Sequence, residues 1–305
     1  MEFFKANTTI PFMRQRSVAA VFSILIFAAS IVSLFHYGLE LGLDFTGGMQ
    51  ITVDFHQPVT TNQVREELVQ AGFEQASVVA FTSRSFSVKV GPHTEITREA
   101  LKQKLLDAMP GASMGGSLDY IGPQVGKQLM YNGVLAILVS LIATMIYIAM
   151  RFEYRFALSA ALALIHDPIL ILGVFSYFHL EFNMIVLTAI LTVIGYSLND
   201  TIVVYDRVRE NFHKIRKMEP SKVMDLSINQ TLSRTIMTSG LTLLVVIALF
   251  IYGGEMVHGF SLALIIGILI GTYSSIYVAG SLAIVFGLTR QSLLPKVRSY
   301  ADDTP

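Results

Sequence analysis

The sequence contains no cysteine, which removes disulfides, thiolate metal sites and cysteine nucleophiles together. That absence also leaves the redox compartment unread. Charge is scarce: Asp, Glu, Lys and Arg make up 14% of the 305 residues, against roughly a quarter in a soluble domain. The charges cancel to a formal net of +0, so no global electrostatic argument points to nucleic acid. Apolar surface takes the place of charge. Hydrophobic residues reach 53% and mean hydropathy is +0.58, so much of the surface is built for a medium other than water.

A bilayer core about 30 Å thick needs about 20 apolar residues in a helix. Six segments meet that test, approximately Val18–Tyr37, Leu129–Met150, Phe156–Phe178, Met184–Tyr205, Thr235–Tyr252 and Phe260–Leu288. The first is too long for a signal peptide and lacks a clear small-residue cleavage site, so it is read as retained. Orientation follows from basic residues in the short loops. Lys5, Arg14 and Arg16 precede the first span, and Arg151 and Arg155 separate the second from the third. Arg207, Arg209, Lys214, Arg216, Lys217 and Lys222 follow the fourth; Arg290, Lys296 and Arg298 follow the sixth. The loops around His179–Asn183 and Gly253–His258 have no Lys or Arg. All basic clusters fall on one side, which predicts that both termini are cytoplasmic.

About 90 residues between the first two spans suffice for a small domain. Met49–Phe55 alternates as a strand does, and Thr60–Gly72 carries Val64, Leu68 and Val69 at helical spacing, with Thr61 as a plausible cap. Ser77–Phe81 and Ser85–Val90 read as strands, Ile96–Met109 as a helix and Ser113–Ile121 as a last strand. The order β-α-β-β-α-β is the ferredoxin-like split βαβ arrangement. The expected architecture is a polytopic α-helical membrane protein with six transmembrane helices and a small α+β ferredoxin-like domain outside the cytoplasm. Its divisions are 1–38 (N-terminus and first span), 39–127 (the external domain) and 128–305 (five spans, with a cytoplasmic loop over 207–234 and a cytoplasmic C-terminus).

Two enzyme-like motifs fail on context. Gly111-Ala-Ser113-Met-Gly115 matches the G-x-S-x-G elbow, which needs a strand before it and a helix after it; here the order is reversed, and a glycine-rich loop is the expected structure. Gly122-Pro-Gln-Val-Gly126-Lys127 resembles a P-loop but is one residue short, and Gln128 stands where Ser or Thr is required. No metal-binding spacing occurs. The reading is therefore not an enzyme, with no cofactor and no metal.

Ionisable residues inside a span are costly and by default mark function or a partner. On the fourth span, Thr188, Thr192, Gly195, Tyr196, Asn199, Asp200, Asp206 and Arg207 fall within an arc of roughly 140°. Leu187, Ile190, Leu191, Ile194, Leu198 and Ile202 occupy the opposite arc. Ser197 and Thr201 interrupt that pattern, and short hydroxyls bond backward to their own helix. Asp200 lies seven residues before Arg207, roughly 10 Å inside the membrane edge. Desolvation there suits a group that loads and releases a proton. Arg234, at the start of the fifth span, is the candidate for setting its charge balance. Asn199, His166 and Asp167 are further proton-path candidates. Asp206 is another, though its place beside Arg207 also suits an interfacial salt bridge. Pro168 frees a backbone carbonyl in the third span. Gly267, Gly271, Ser275 and Ala279 form a small-residue stripe on the sixth, read as a packed interface.

At this point several motifs resemble a known family. Leu43-Asp44-Phe45-Thr46-Gly47-Gly48 after the first span is similar to the SecD/SecF signature, as is Ile121-Gly122-Pro123-Gln124-Val125-Gly126 before the second. The stretch Gly195–Glu210, with Asn199 and Asp200, and the stretch Asn229–Thr235, with Arg234, resemble the SecF side of that family in particular. The resemblance implies kinship with resistance-nodulation-division transporters and a location in the bacterial inner membrane. It also implies pairing with SecD and association with YajC and with the SecYEG channel. The activity it implies is use of the proton motive force to draw preproteins across the membrane after SecA has pushed. It places Asp200 and Arg234 in the proton-conducting region. Asp44, Gly47 and Gly48 belong to that signature by resemblance, and from the residues alone the Gly47-Gly48 turn is read as a hinge or tight junction. A half efflux pump and a passive assembly subunit are the competing expectations.

Overall fold

The computed structural model describes residues 9–73, 76–91, 98–215 and 217–290. Lys5, Arg216, Lys296 and Arg298 of the basic clusters, and the start of the helix expected at Ile96, lie outside the described residues. In chain order, a 3-10 turn (Phe12–Gln15) leads into α1 (Arg16–His36), β1 (Glu40–Leu41) and α2 (Leu43–Thr46). Then come β2 (Gly48–Phe55), α3 (Thr61–Gln70), β3 (Ser77–Ala80), β4 (Ser85–Val90), α4 (Arg98–Asp107) and β5 (Ala112–Ile121). The remaining helices are α5 (Pro123–Arg151), α6 (Tyr154–Tyr177), α7 (Met184–Lys214), α8 (Pro220–Tyr252), α9 (Glu255–Tyr273) and α10 (Gly280–Val285). The two-residue β6 (Glu181–Phe182) precedes α7, and a π-helical turn (Ser274–Ala279) joins α9 to α10. The chain divides into two compact units, one of Met1–Gly38, Leu138–His179 and Thr188–Pro305, the other of Leu39–Ile137 and Leu180–Leu187.

Six helical segments among the described residues are long and apolar enough to cross a bilayer. A helix satisfies every backbone group within itself, which hydrocarbon requires. The helices outrun the apolar runs at several ends: α7 continues to Lys214, and α8 begins at Pro220 rather than near Thr235. In the helical unit α8 runs antiparallel beside α7. Bonds from Tyr196 to Thr242, Ser239 to Asp200, Arg207 to Gln230 and Asn211 to Ser227 climb one helix as they descend the other. Glycines permit close approach elsewhere. A Cβ on Gly267 would strike Val193, one on Gly271 would lie 3.0 Å from the Cβ of Ser197, and one on Gly173 would strike Ser30. The small-residue stripe of the sixth span thus packs on α7.

The first turn is pinned to α8. Asn229 pairs with both backbone groups of Ile10, each at 2.9 Å, and Asp225 accepts from the Met13 N–H at 2.8 Å. These bonds meet amide groups that the start of a helix leaves unpaired.

In the other unit, β2–β5 form an antiparallel sheet of order β3-β4-β2-β5. With two helices in the crossovers, this is the split βαβ order read from the sequence. Met49, Ile51, Val53 and Phe55 alternate inward on β2 and pack with Phe86, Val88, Leu68, Leu101 and Leu105. Two details differ from the sequence reading. Thr60, not Thr61, caps α3, in a reciprocal capping box with Gln63. The stretch expected as a glycine-rich loop becomes strand from Ala112 onward, and a bulge opposite Ile51–Val53 sets Gly115 against the Asp54 carboxylate.

Gly47 (φ +69°) and Gly48 (φ +122°) both lie in the left-handed half of backbone space. A Cβ on Gly48 would run into the Val90 carbonyl, and one on Gly47 would lie 3.1 Å from Pro123 Cα. Gly126 of α5 would meet the Gly47 nitrogen at 2.8 Å if it had a Cβ. The turn is a tight junction in which glycine is required twice over. We expect Gly48→Ala to cost more than the about 1–3 kcal/mol of backbone strain alone. Gly72→Ala is the comparison, since Gly72 has φ +91° but open space around it. Denaturant midpoints of the full chain in detergent, read by proteolysis of the 39–137 region, should rank Gly48→Ala below Gly72→Ala.

Candidate functional site

The signature segment Leu43–Gly48 acts at the start of α7. Asp44 accepts from the Met184 N–H at 2.8 Å, while Asn183 accepts from the Val186 N–H at 3.0 Å. A carboxylate at a helix N-terminus satisfies an orphan amide and meets the positive end of the dipole. β1 pairs in parallel with β6. Gly42 donates to the Phe182 carbonyl and leaves no room for a Cβ beside Asn183, 2.7 Å away. From the sheet, Lys89 donates to the Leu41 carbonyl at 2.6 Å. Burial pulls the Lys89 ammonium below its usual 10.5, while Glu181, Asp44 and Glu40 act the other way. Lys89 carries no signal in the sequence, where it is one lysine on a short strand.

Deep in the helical unit, Asp167 is the most enclosed carboxylate of the candidate set, 1% exposed. Its Oδ2 accepts from Ser197 on α7 at 2.6 Å and from Ser274 of the π-helical turn at 2.7 Å. Its Oδ1 lies 2.9 Å from His166 Nδ1. Three elements thus converge on one side chain. At the far end of the π-helical turn the Ala279 carbonyl accepts from Tyr205, which also meets Ser159 at 2.7 Å. The sequence reading has Ser197 bonding back along its own helix; its hydroxyl instead crosses to Asp167, while Thr201 does back-bond, to the Ser197 carbonyl. Ser274 sits one position off the small-residue stripe of the sixth span, so spacing alone could not single it out.

Asp200 is also buried, 3% exposed, but less provided for. Ser239 donates to it at 3.4 Å, and Thr272 in turn donates to Ser239 at 3.0 Å. Arg234 is near enough for its charge to be felt at Asp200 yet makes no ion pair with it among the described residues. Arg234 and Asn199 are both exposed on the isolated chain, as are Thr192, Gly195 and Thr238. Asp206 is engaged elsewhere, in a half-exposed ion pair with Arg151 at 2.6 Å. The structure therefore brings His166 with Asp167, sets Asp200 near Ser239, and pairs Asp206 with Arg151 at the end of α5.

Fold and site together define a multi-pass membrane protein that encloses carboxylates within its helical bundle and carries a small α+β domain after its first span. The family described as protein export membrane protein SecD/SecF, C-terminal, matches residues 101–289, and the SecD/SecF GG motif matches residues 32–59. A protein translocase subunit SecF from Vibrio alginolyticus is 50% identical over 96% of this chain and 95% of its own length. The Pseudomonas aeruginosa counterpart is 41% identical over 97% and 98%. A solved structure of SecDF from Thermus thermophilus, titled a translocon-associated membrane protein, superposes with a TM-score of 0.84 at 35% identity. It covers 93% of this chain, which spans only 39% of the solved one. A second SecDF structure, in a form titled super-membrane-facing, gives a TM-score of 0.70. The chain belongs to the SecD/SecF family of protein-export membrane proteins.

Lys89 supplies a pH signature. Its folded-state value lies below that of the unfolded chain, so the folded protein sheds this proton first. Between that lowered value and 10.5 the unfolded chain holds more protons, and stability rises with pH. Lys89→Met should remove that alkaline gain. Parallel thermal melts of parent and variant across the alkaline range check it, and superimposable pH slopes would contradict it.

Proposed function

We propose that this chain works as the SecF-type half of a proton-driven auxiliary of protein export, paired with a SecD-type half and acting beside the SecYEG channel. In this reading YajC joins the pair, and SecA supplies the earlier, nucleotide-driven push. The chain is a transport component, not an enzyme. It sits in the bacterial inner membrane with both termini cytoplasmic and residues 39–127 periplasmic. The basic residues flanking the spans support that orientation.

The observation that carries the reading is Asp200: a buried carboxylate, mid-span, with one long hydroxyl bond and no ion-pair partner among the described residues. A buried mid-span carboxylate left so lightly bonded suits a carrier of protons. The exposed ridge of Thr192, Asn199, Arg234 and Thr238 supports the pairing, because hydrocarbon against a guanidinium is costly and a second helical half would cover it. Arg234 then works across that interface, adjusting the charge balance at Asp200.

Asp200→Asn keeps the shape but cannot ionise. Export by the reconstituted pair should fall to the level seen without a proton gradient, while assembly with SecD stays at the parent level. Arg234→Lys should be milder than Arg234→Ala, since it keeps the charge and loses only the planar fork. Gradient-driven export by Asp200→Asn at the parent rate would make this chain a passive assembly subunit.

A further inference from the structure

His166 Nε2 is buried and has no hydrogen-bond partner among the described residues. A core histidine kept for packing would ordinarily have both nitrogens satisfied. Its other nitrogen faces Asp167 at 2.9 Å. A carboxylate only accepts, so Nδ1 carries the hydrogen in that contact, and Nε2 of the neutral ring is a bare lone pair. Asp167 also accepts from Ser197 and Ser274. On the ring's face, Phe27 stacks at 5.8 Å and 8°.

We propose that His166 is a second proton-binding site of this chain, taking the proton on Nε2 with Asp167 as its built-in counter-ion. The inference rests on the reading of Asp200 as a proton carrier and adds a station to it. Uptake forms one N–H bond at the expense of one O–H bond in the donor, and release reverses it; nothing is oxidised. Three features make the charged ring tolerable in the core. The imidazolium and the Asp167 carboxylate sum to no net charge, which avoids burying an uncompensated ion. The carboxylate keeps its two serine donors throughout. The Phe27 ring, within about 6 Å, attracts a cation on its face.

At mid-span depth the titratable groups on the packed elements are few; Tyr154, Arg155 and Tyr177 of α6, Asp206 to Lys214 of α7, and Glu255 and His258 of α9 lie toward the helix ends. Asp167 shares α6; Tyr196, Asp200 and Tyr205 lie mid-span on α7; Tyr273 and Tyr277 lie on α9 and the π-helical turn; α1 has none between Ser17 and Phe35. Of these, Asp167 is in hydrogen-bond contact with the ring. The two stations share elements. Ser197 precedes Asp200 by three residues on α7, and Thr272 and Ser274, two residues apart, serve the Asp200 and Asp167 sides respectively.

The test uses the full chain in its complex with SecD, untagged, with histidine imidazoles labelled for nuclear magnetic resonance. A pH series run from about 5 to 9 should carry one resonance from a neutral Nδ1–H tautomer to the doubly protonated ring. That resonance should vanish in His166→Gln and persist in Asp200→Asn. Gradient-driven export by His166→Gln should lose the part of its pH profile that this titration spans, with assembly intact. A His166 ring that holds one tautomer across that range overturns the proposal, as does a His166→Gln profile superimposable on the parent's. If His166→Gln fails to assemble, the titration of the parent still decides. Loss of coupling in Asp200→Asn beside a silent His166 sinks this inference alone; unimpaired Asp200→Asn sinks the proton-carrier reading.

Discussion

Hydrocarbon offers no hydrogen bonds, and nearly every feature of the helical unit answers that constraint. Backbone groups are met inside helices. Side-chain polar groups must find partners within the bundle, and His166, Ser197 and Ser274 meet at the Asp167 carboxylate. Ser197 and Ser274 bring α7 and the π-helical turn to α6 through one oxygen atom. The π-helical turn itself, a rare departure from α-helical geometry, is held at its start by Asp167 and at its end by Tyr205. The turn's irregular backbone is tolerated because both ends are bonded.

A different constraint governs the signature segment, where distance rather than polarity is limiting. Gly47, Gly48 and Gly126 bring the strand β2, the strand β4 and the first turn of α5 closer than any Cβ allows. Asp44, in the same segment, caps α7. A motif that reads as a string of small residues is thus two devices side by side: a junction that only glycine fits, and an acid that starts the helix carrying Asp200. Lys89 adds a charged tie from the sheet to the Leu41 carbonyl.

The two mid-span carboxylates have unlike surroundings. Asp167 has three donors from three elements, whereas Asp200 has one weak hydroxyl bond and a guanidinium too far away to pair. The exposed polar residues of α7 and α8 extend the contrast to the surface, where the isolated chain leaves Asn199 and Arg234 without a cover that a bilayer could supply.

The six spans were legible in the sequence because a bilayer imposes a length and a composition on any segment that crosses it. The split βαβ order was legible because period-2 and period-3.6 patterns alternate cleanly between Met49 and Ile121, and Asp200 stood out as an acid in an apolar run. Boundaries were less so: Thr60 and Thr61 offer the same hydroxyl, and only the closed box with Gln63 chooses between them. Ser197 could bond along its own helix or across to another, and Asp206 could pair or stay open. Ser274, Ser239 and Lys89 are commonplace residues whose importance lies in what faces them. Composition and periodicity are local and survive in one dimension; a hydrogen bond from α7 to α6 depends on the rotation of both helices, which packing alone decides.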